Sequence, residues 1–206
     1  MESNQVVFSK NVVEFVTVGV EYCRLLEQAT EYSRTEFVDR CVKLLPLLYL
    51  KATLLPDSVA ENEEPAEEFV TEEAYGMIAN TVASILGSKD DYLVTFHPEM
   101  KFSDTAVIAN ISEDLADIYQ DIKNFTMVYS IGYEPSMNDA LLTCKDNFAA
   151  FWGQKLVNGL AALHNLRFNE DELEDETDSE KEGQGDWFGH NQWESDDIDQ
   201  ELKNWE

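Results

Sequence analysis

Residues 108–125, IANISEDLADIYQDIKNF, place Ile108, Ile111, Leu115, Ile118, Ile122 and Phe125 at spacings of 3, 4, 3, 4 and 3. A strand alternates its faces every second residue, so only a helix gathers these six side chains into one stripe. The spacing predicts a helix from about Ser103 that packs lengthwise against neighbours. Asp114, Asp117 and Asp121 recur at helical spacing beside the stripe, which predicts a solvated flank.

Working outward, the same reading yields helices on both sides. In residues 6–29 the polar positions Glu14, Thr17, Glu21 and Arg24 recur every three or four residues, leaving Phe8, Val12, Phe15, Gly19, Tyr22, Cys23 and Leu26 for the other face. Alternation over Val16, Val18, Val20 and Tyr22 would suit a strand, but the helical spacing outlasts an ordinary strand length. Ser33 and Glu36 have the spacing of a capping box, so a second helix starts there. Its face is Phe37, Cys41, Leu44, Leu45, Leu48 and Leu55, and Pro46, lacking an amide donor, predicts a kink or a division into two short helices.

Residues 57–73 contain Asp57, Glu61, Glu63, Glu64, Glu67, Glu68, Glu72 and Glu73 with no Lys or Arg, the composition of a solvated connection. Thr71 caps a third helix bearing Tyr75, Ile78, Val82, Ile85 and Leu86, and Gly87 stops it. Tyr92 to Phe96 reads as a short strand or a loop. After Gly132, Pro135 opens a last long helix whose face runs Leu141, Cys144, Phe148 and Phe151, then shifts to Trp152, Leu156, Leu160 and Leu163, as though it changes partners midway. The expected fold is therefore all-α, about five helices in a bundle-like domain over residues 1–168.

Residues 169–206 form an acidic tail with 16 acidic residues against Lys181 and Lys203, half of the chain's net charge of −28. Residues 169–186 have too few apolar side chains to build a core. Further on, Trp187, Phe188, Trp193, Ile198, Leu202 and Trp205 interrupt the acid, and Ser195 is placed to cap a short helix through Asn204. These six are the candidate partner-binding residues. Either they pack back on the body or they dock on a partner, with the acids selecting a basic groove.

The charge disfavours direct contact with nucleic acid or an anionic membrane and favours a protein partner with a basic surface. The tail's acids also allow competition for a basic site by imitation of a nucleic-acid surface. The longest apolar run, Leu44 to Leu50, is far short of the roughly 20 residues that span a bilayer. Met1 to Gln5 does not begin a secretory signal. Cys23, Cys41 and Cys144, an odd number with no close pair, read as reduced core residues, and the cytoplasm is the expected compartment.

The string Leu44-Leu45-Pro46-Leu47-Leu48-Tyr49-Leu50, leading to Leu54-Leu55-Pro56, resembles an uncharacterised family of small acidic helical bacterial proteins known only as a domain of unknown function. The resemblance spans roughly residues 5–168. It implies a helical fold and a bacterial source, and brings no catalytic residues.

The sequence holds no catalytic constellation to nominate. No Glu-x-x-His motif occurs, His97, His164 and His190 are too scattered for zinc, and Gly183-Gln184-Gly185 has neither a preceding strand nor a phosphate-binding lysine. The expectation is a non-enzymatic protein-binding or adaptor protein with no cofactor or metal. The alternative is a metal-dependent helical-bundle enzyme in which Asp114, Asp117 and Asp121 are completed by Glu14, Glu21 or Asp139.

Overall fold

A computed structural model describes residues 6–62, 67–94 and 107–169. Its helices are α1 (Lys10–Glu27), α2 (Arg34–Thr53), α3 (Glu72–Leu86), α4 (Ile111–Ile131), α5 (Glu134–Asn147) and α6 (Gly153–Phe168). A π-helical turn, Phe148–Trp152, joins α5 to α6, so the described residues make five helical rods. Two three-residue strands, β1 (Asp91–Leu93) and β2 (Ile108–Asn110), pair antiparallel with Tyr92 opposite Ala109. Among the described residues the fold is all-α apart from this ladder.

Helix α4 sits at the centre, packed against α1, α3, α5 and α6, while α2 packs on α1 and α6. From Ile111 to Tyr129 only Glu113 is exposed. Its predicted stripe is buried from Ile111 through Phe125. Ser103 lies outside the described residues, and Ile108 belongs to the exposed β2 rather than to the helix, whose first turn starts at Ile111. Asp90 explains the later start. Its carboxylate accepts the Ser112 amide at 2.8 Å and the Ser112 hydroxyl at 2.6 Å, satisfying donors that a helix N-terminus leaves free.

The Ser33–Glu36 capping box is present and α1 is helical throughout, with Val18 and Leu25 added to the buried face and Phe8 exposed ahead of it. Pro46 does not divide α2. One helix runs from Arg34 to Thr53, and Pro46 lies on its exposed side, lining a shallow recess with Val157, Leu160 and Ala161 of α6. Arg34 donates to the Ile85 carbonyl at 2.9 Å, closing the end of α3, and Gly87 with φ of 58° turns the chain away.

The acidic connection after α2 is not simply solvated. Asp139 of α5 accepts the amides of Glu61 (2.7 Å) and Asn62 (2.9 Å) and the Asn62 side chain (2.7 Å), while Asn124 of α4 accepts the amides of Phe69 and Val70 at 2.7 and 2.9 Å. Two side chains thus hold both ends of the strap, and Phe69 and Val70 pack on the core.

The change of face in the last rod has a cause. The π turn takes one extra residue, with the Gly153 amide bonded to the Phe148 carbonyl five residues back. Trp152, Leu156 and Leu163 therefore continue the buried row of Leu141 and Cys144, and Phe151 is left outside. Trp152 donates its indole N–H to the Cys144 carbonyl at 3.1 Å.

Candidate functional site

The aspartates of α4 face neighbouring helices because α4 is enclosed on most sides. Asp114 is buried, not on a solvated flank. Lys155, in the first turn of α6, reaches Asp114 at 3.1 Å and Asp117 at 2.7 Å. Tyr92 donates its hydroxyl to Asp114 through a short hydrogen bond, and Tyr75 donates to Asp117 at 3.0 Å. Burial pushes the Asp114 carboxyl above its ordinary range even though Tyr92 and Lys155 pull it down. Burial also pulls the Lys155 ammonium down, but bonds to Asp117 and Asp114 more than offset it and leave the ammonium raised. Burial together with the Asp114 carboxylate holds the Tyr92 phenol well up. This is a closed, satisfied network.

One turn further on, Asp121 accepts from Asn147 at 2.5 Å, and burial raises its carboxyl while that bond opposes the rise. Asp121 borders a recess of about 320 Å³ between the strap, α4, α5 and the π turn. Its floor is Phe125, Val128, Ala140 and Cys144, Phe151 stands at its edge, and among the described residues Glu67, Glu68 and Asp121 are its charged lining. An apolar floor beneath three carboxylates with no basic residue suits an aliphatic stem ending in a cation.

The residues proposed to complete a metal site do not converge with Asp114 and Asp117. Glu14 bonds Lys51 at 2.8 Å, Glu21 bonds Arg24 at 3.4 Å, and Asp139 holds the strap. Among the described residues no group of three or more His, Cys, Asp or Glu side chains is placed to hold a metal ion. His164 lies exposed near the end of α6, its ring 4.7 Å from that of Phe168. His97, His190 and the six tail candidates Trp187, Phe188, Trp193, Ile198, Leu202 and Trp205 lie outside the described residues.

Sequence reasoning missed the ion network and the recess. No local spacing pointed to the first, because the π turn that brings Lys155 to Asp114 and Asp117 is a backbone feature. Nothing in the spacing of Glu67 and Glu68 pointed to Asp121, because the strap's path depends on Asn124.

No helix among the described residues is long and apolar enough to cross a membrane. A family model described as a domain of unknown function (DUF5063) matches residues 6–169. No curated protein matches the chain. Among solved structures, the crystal structure of protein BF1032 from Bacteroides fragilis is 49% identical, with a TM-score of 0.71 over 80% of this chain and 96% of that one.

Proposed function

The chain belongs to the DUF5063 family, a domain of unknown function, and from that premise we propose a non-enzymatic protein that uses its acidic surface to bind a protein partner with a basic surface. The observation that carries this reading is the recess under Glu67, Glu68 and Asp121: its lining among the described residues is anionic without a counter-charge, while the other interior carboxylates are engaged in holding the fold. A lysine or arginine of the partner enters it, the stem on Phe125 and Val128 and the cation at the mouth. The tail from residue 169 onward adds acidic charge that speeds encounter, and Trp187, Phe188, Trp193, Ile198, Leu202 and Trp205 add anchoring area. A cytoplasmic, bacterial setting belongs to the same proposal, motivated by three buried, unpaired cysteines and by the Bacteroides relative. Nucleic acid is not the expected partner of a chain with net charge −28.

The test is affinity capture from bacterial lysate by the full chain, the chain ending at Phe168, and the triple variant Glu67→Gln, Glu68→Gln, Asp121→Asn, each at low and moderate salt. A basic protein kept by the full chain, released by salt and lost from the triple variant supports the reading. Equal capture by all three refutes the recess and the tail together.

A further inference from the structure

The α1–α2 hairpin carries an apolar groove of the opposite electrostatic character. Hydrogen bonds from Asn11 to the Leu54 carbonyl (2.9 Å) and from Lys51 to Glu14 (2.8 Å) fix the two helices antiparallel. Along that register Val13, Val20, Leu47, Leu50 and Leu54 are 40 to 51% exposed. Val13 and Val20 are seven residues apart on α1, and Leu47, Leu50 and Leu54 are spaced three and four on α2, so each set shares one helix face. Thr17, between the valines, turns its hydroxyl back to the Val13 carbonyl at 2.9 Å. Towards the turn of the hairpin the face deepens into a recess of about 380 Å³ lined by Leu25, Leu44, Leu47 and Tyr32, with Arg24, Arg40, Lys43 and Glu21 around them.

Charge decides what fits. The chain holds 42 acidic and 14 basic residues, yet this lining has three basic residues against one acidic. Arg40 lies 4.5 Å over the Tyr32 ring and has no carboxylate within ion-pair reach among the described residues. Lys43 and Arg24 pair only with acids of their own helices, Asp39 at 2.5 Å and Glu21 at 3.4 Å, and their side chains are 72% and 62% exposed. Such exposed pairs are weak and exchange readily for an incoming carboxylate.

We propose that this groove takes an acidic amphipathic helix of a partner protein, with apolar residues at i, i+4 and i+7 seated along Val20, Leu47 and Leu50 and carboxylates on Arg40, Arg24 and Lys43. A second copy of the same face would set basic residues against basic residues at the recess.

The probe is a labelled synthetic helix of roughly 18 residues, about five turns, with leucines at that spacing and glutamates elsewhere. Its partner in the experiment is a peptide of identical composition with the leucines scattered around the helix. Fluorescence anisotropy on the full chain is expected to favour the patterned peptide by at least about tenfold, with affinity falling as salt rises. Leu50→Asp and the double variant Arg40→Glu, Lys43→Glu, all at exposed positions, are each expected to lose about tenfold while keeping the helical circular dichroism of the parent. No binding, equal binding of both peptides, or binding indifferent to the variants overturns the proposal. So does sedimentation showing a dimer that Leu50→Asp dissociates, which assigns the face to a second copy. Tighter binding of the patterned peptide by the chain ending at Asn169 than by the full chain would also overturn the partner reading, by assigning the occupant to residues 170–206.

Discussion

Replacing Lys155 by Met removes the one cation that bonds Asp114 and Asp117 among the described residues, at a cost that the geometry bounds. At 3.1 and 2.7 Å and an effective dielectric of about 20, each contact has a gross attraction of roughly 5–6 kcal/mol. Desolvation of the half-buried ammonium and of Asp114 returns much of this, and breaking a buried pair from one side leaves a net loss of about 2–4 kcal/mol. For a chain of this size that lowers Tm by about 5–12 °C in a thermal melt followed by circular dichroism. The loss depends on pH with a defined sign. Asp114 already has a folded-state carboxyl above its ordinary value through burial, and Lys155 works against that rise. Without Lys155 the folded state binds the Asp114 proton more strongly still. Stability held by a raised carboxyl is present below its unfolded value, near about pH 4, and is lost as pH rises through the folded value. The variant should therefore approach the parent at acidic pH and show its full deficit at neutral pH. Adding Asp114→Asn to Lys155→Met should recover part of the loss at neutral pH, since it removes the orphaned charge. A neutral-pH deficit under about 0.5 kcal/mol, a deficit that does not change with pH, or no recovery in the double variant would refute the reasoning.

Gly153→Ala sets a Cβ at 2.4 Å from the Phe148 carbonyl oxygen. The π turn cannot accept it without moving backbone, and a loss of about 2–4 kcal/mol in urea unfolding is expected. Asp139→Ala frees the amides of Glu61 and Asn62, and hydrogen exchange there should accelerate while α4 stays protected, for a global loss of about 1–3 kcal/mol. Ser33→Ala removes the hydroxyl of the capping box and should cost about 1 kcal/mol. The thiols of Cys23, Cys41 and Cys144 are buried, and burial raises each of them, Cys23 to about 12, so a thiol reagent at neutral pH should label none until the chain unfolds.

The helices were legible where a segment touches neighbours on one side. Ser33 with Glu36, Thr71 ahead of Ala74 and Pro135 near the start of α5 act through atoms a few residues away, so their spacing carries the information. Local pattern failed where long-range packing decides. Asp114 looked solvated because a stripe was assumed to have one side, whereas α4 is enclosed from four. Pro46 looked disruptive because it removes one amide donor, yet the rest of α2 carries the helix through it to Thr53. The shift from Phe151 to Trp152 was visible as an irregularity, but its form, an extra residue in one turn, needed the backbone. The recess stayed hidden, since Glu67 and Asp121 meet only through a strap held by Asn124. The tail candidates lie outside the described residues.

The β1–β2 ladder is the last feature with a use of its own. Its outer bond, from the Val94 amide to the Val107 carbonyl at 2.9 Å, brings the two ends of residues 95–106 together before α4 begins. Chain closure there is already enforced by the ladder and by Asp90, so added length costs only the slow logarithmic growth of loop entropy. Relatives can therefore be expected to differ in length at this point. An engineer seeking a place to splice in an epitope or a fluorescent reporter would begin between Val94 and Val107.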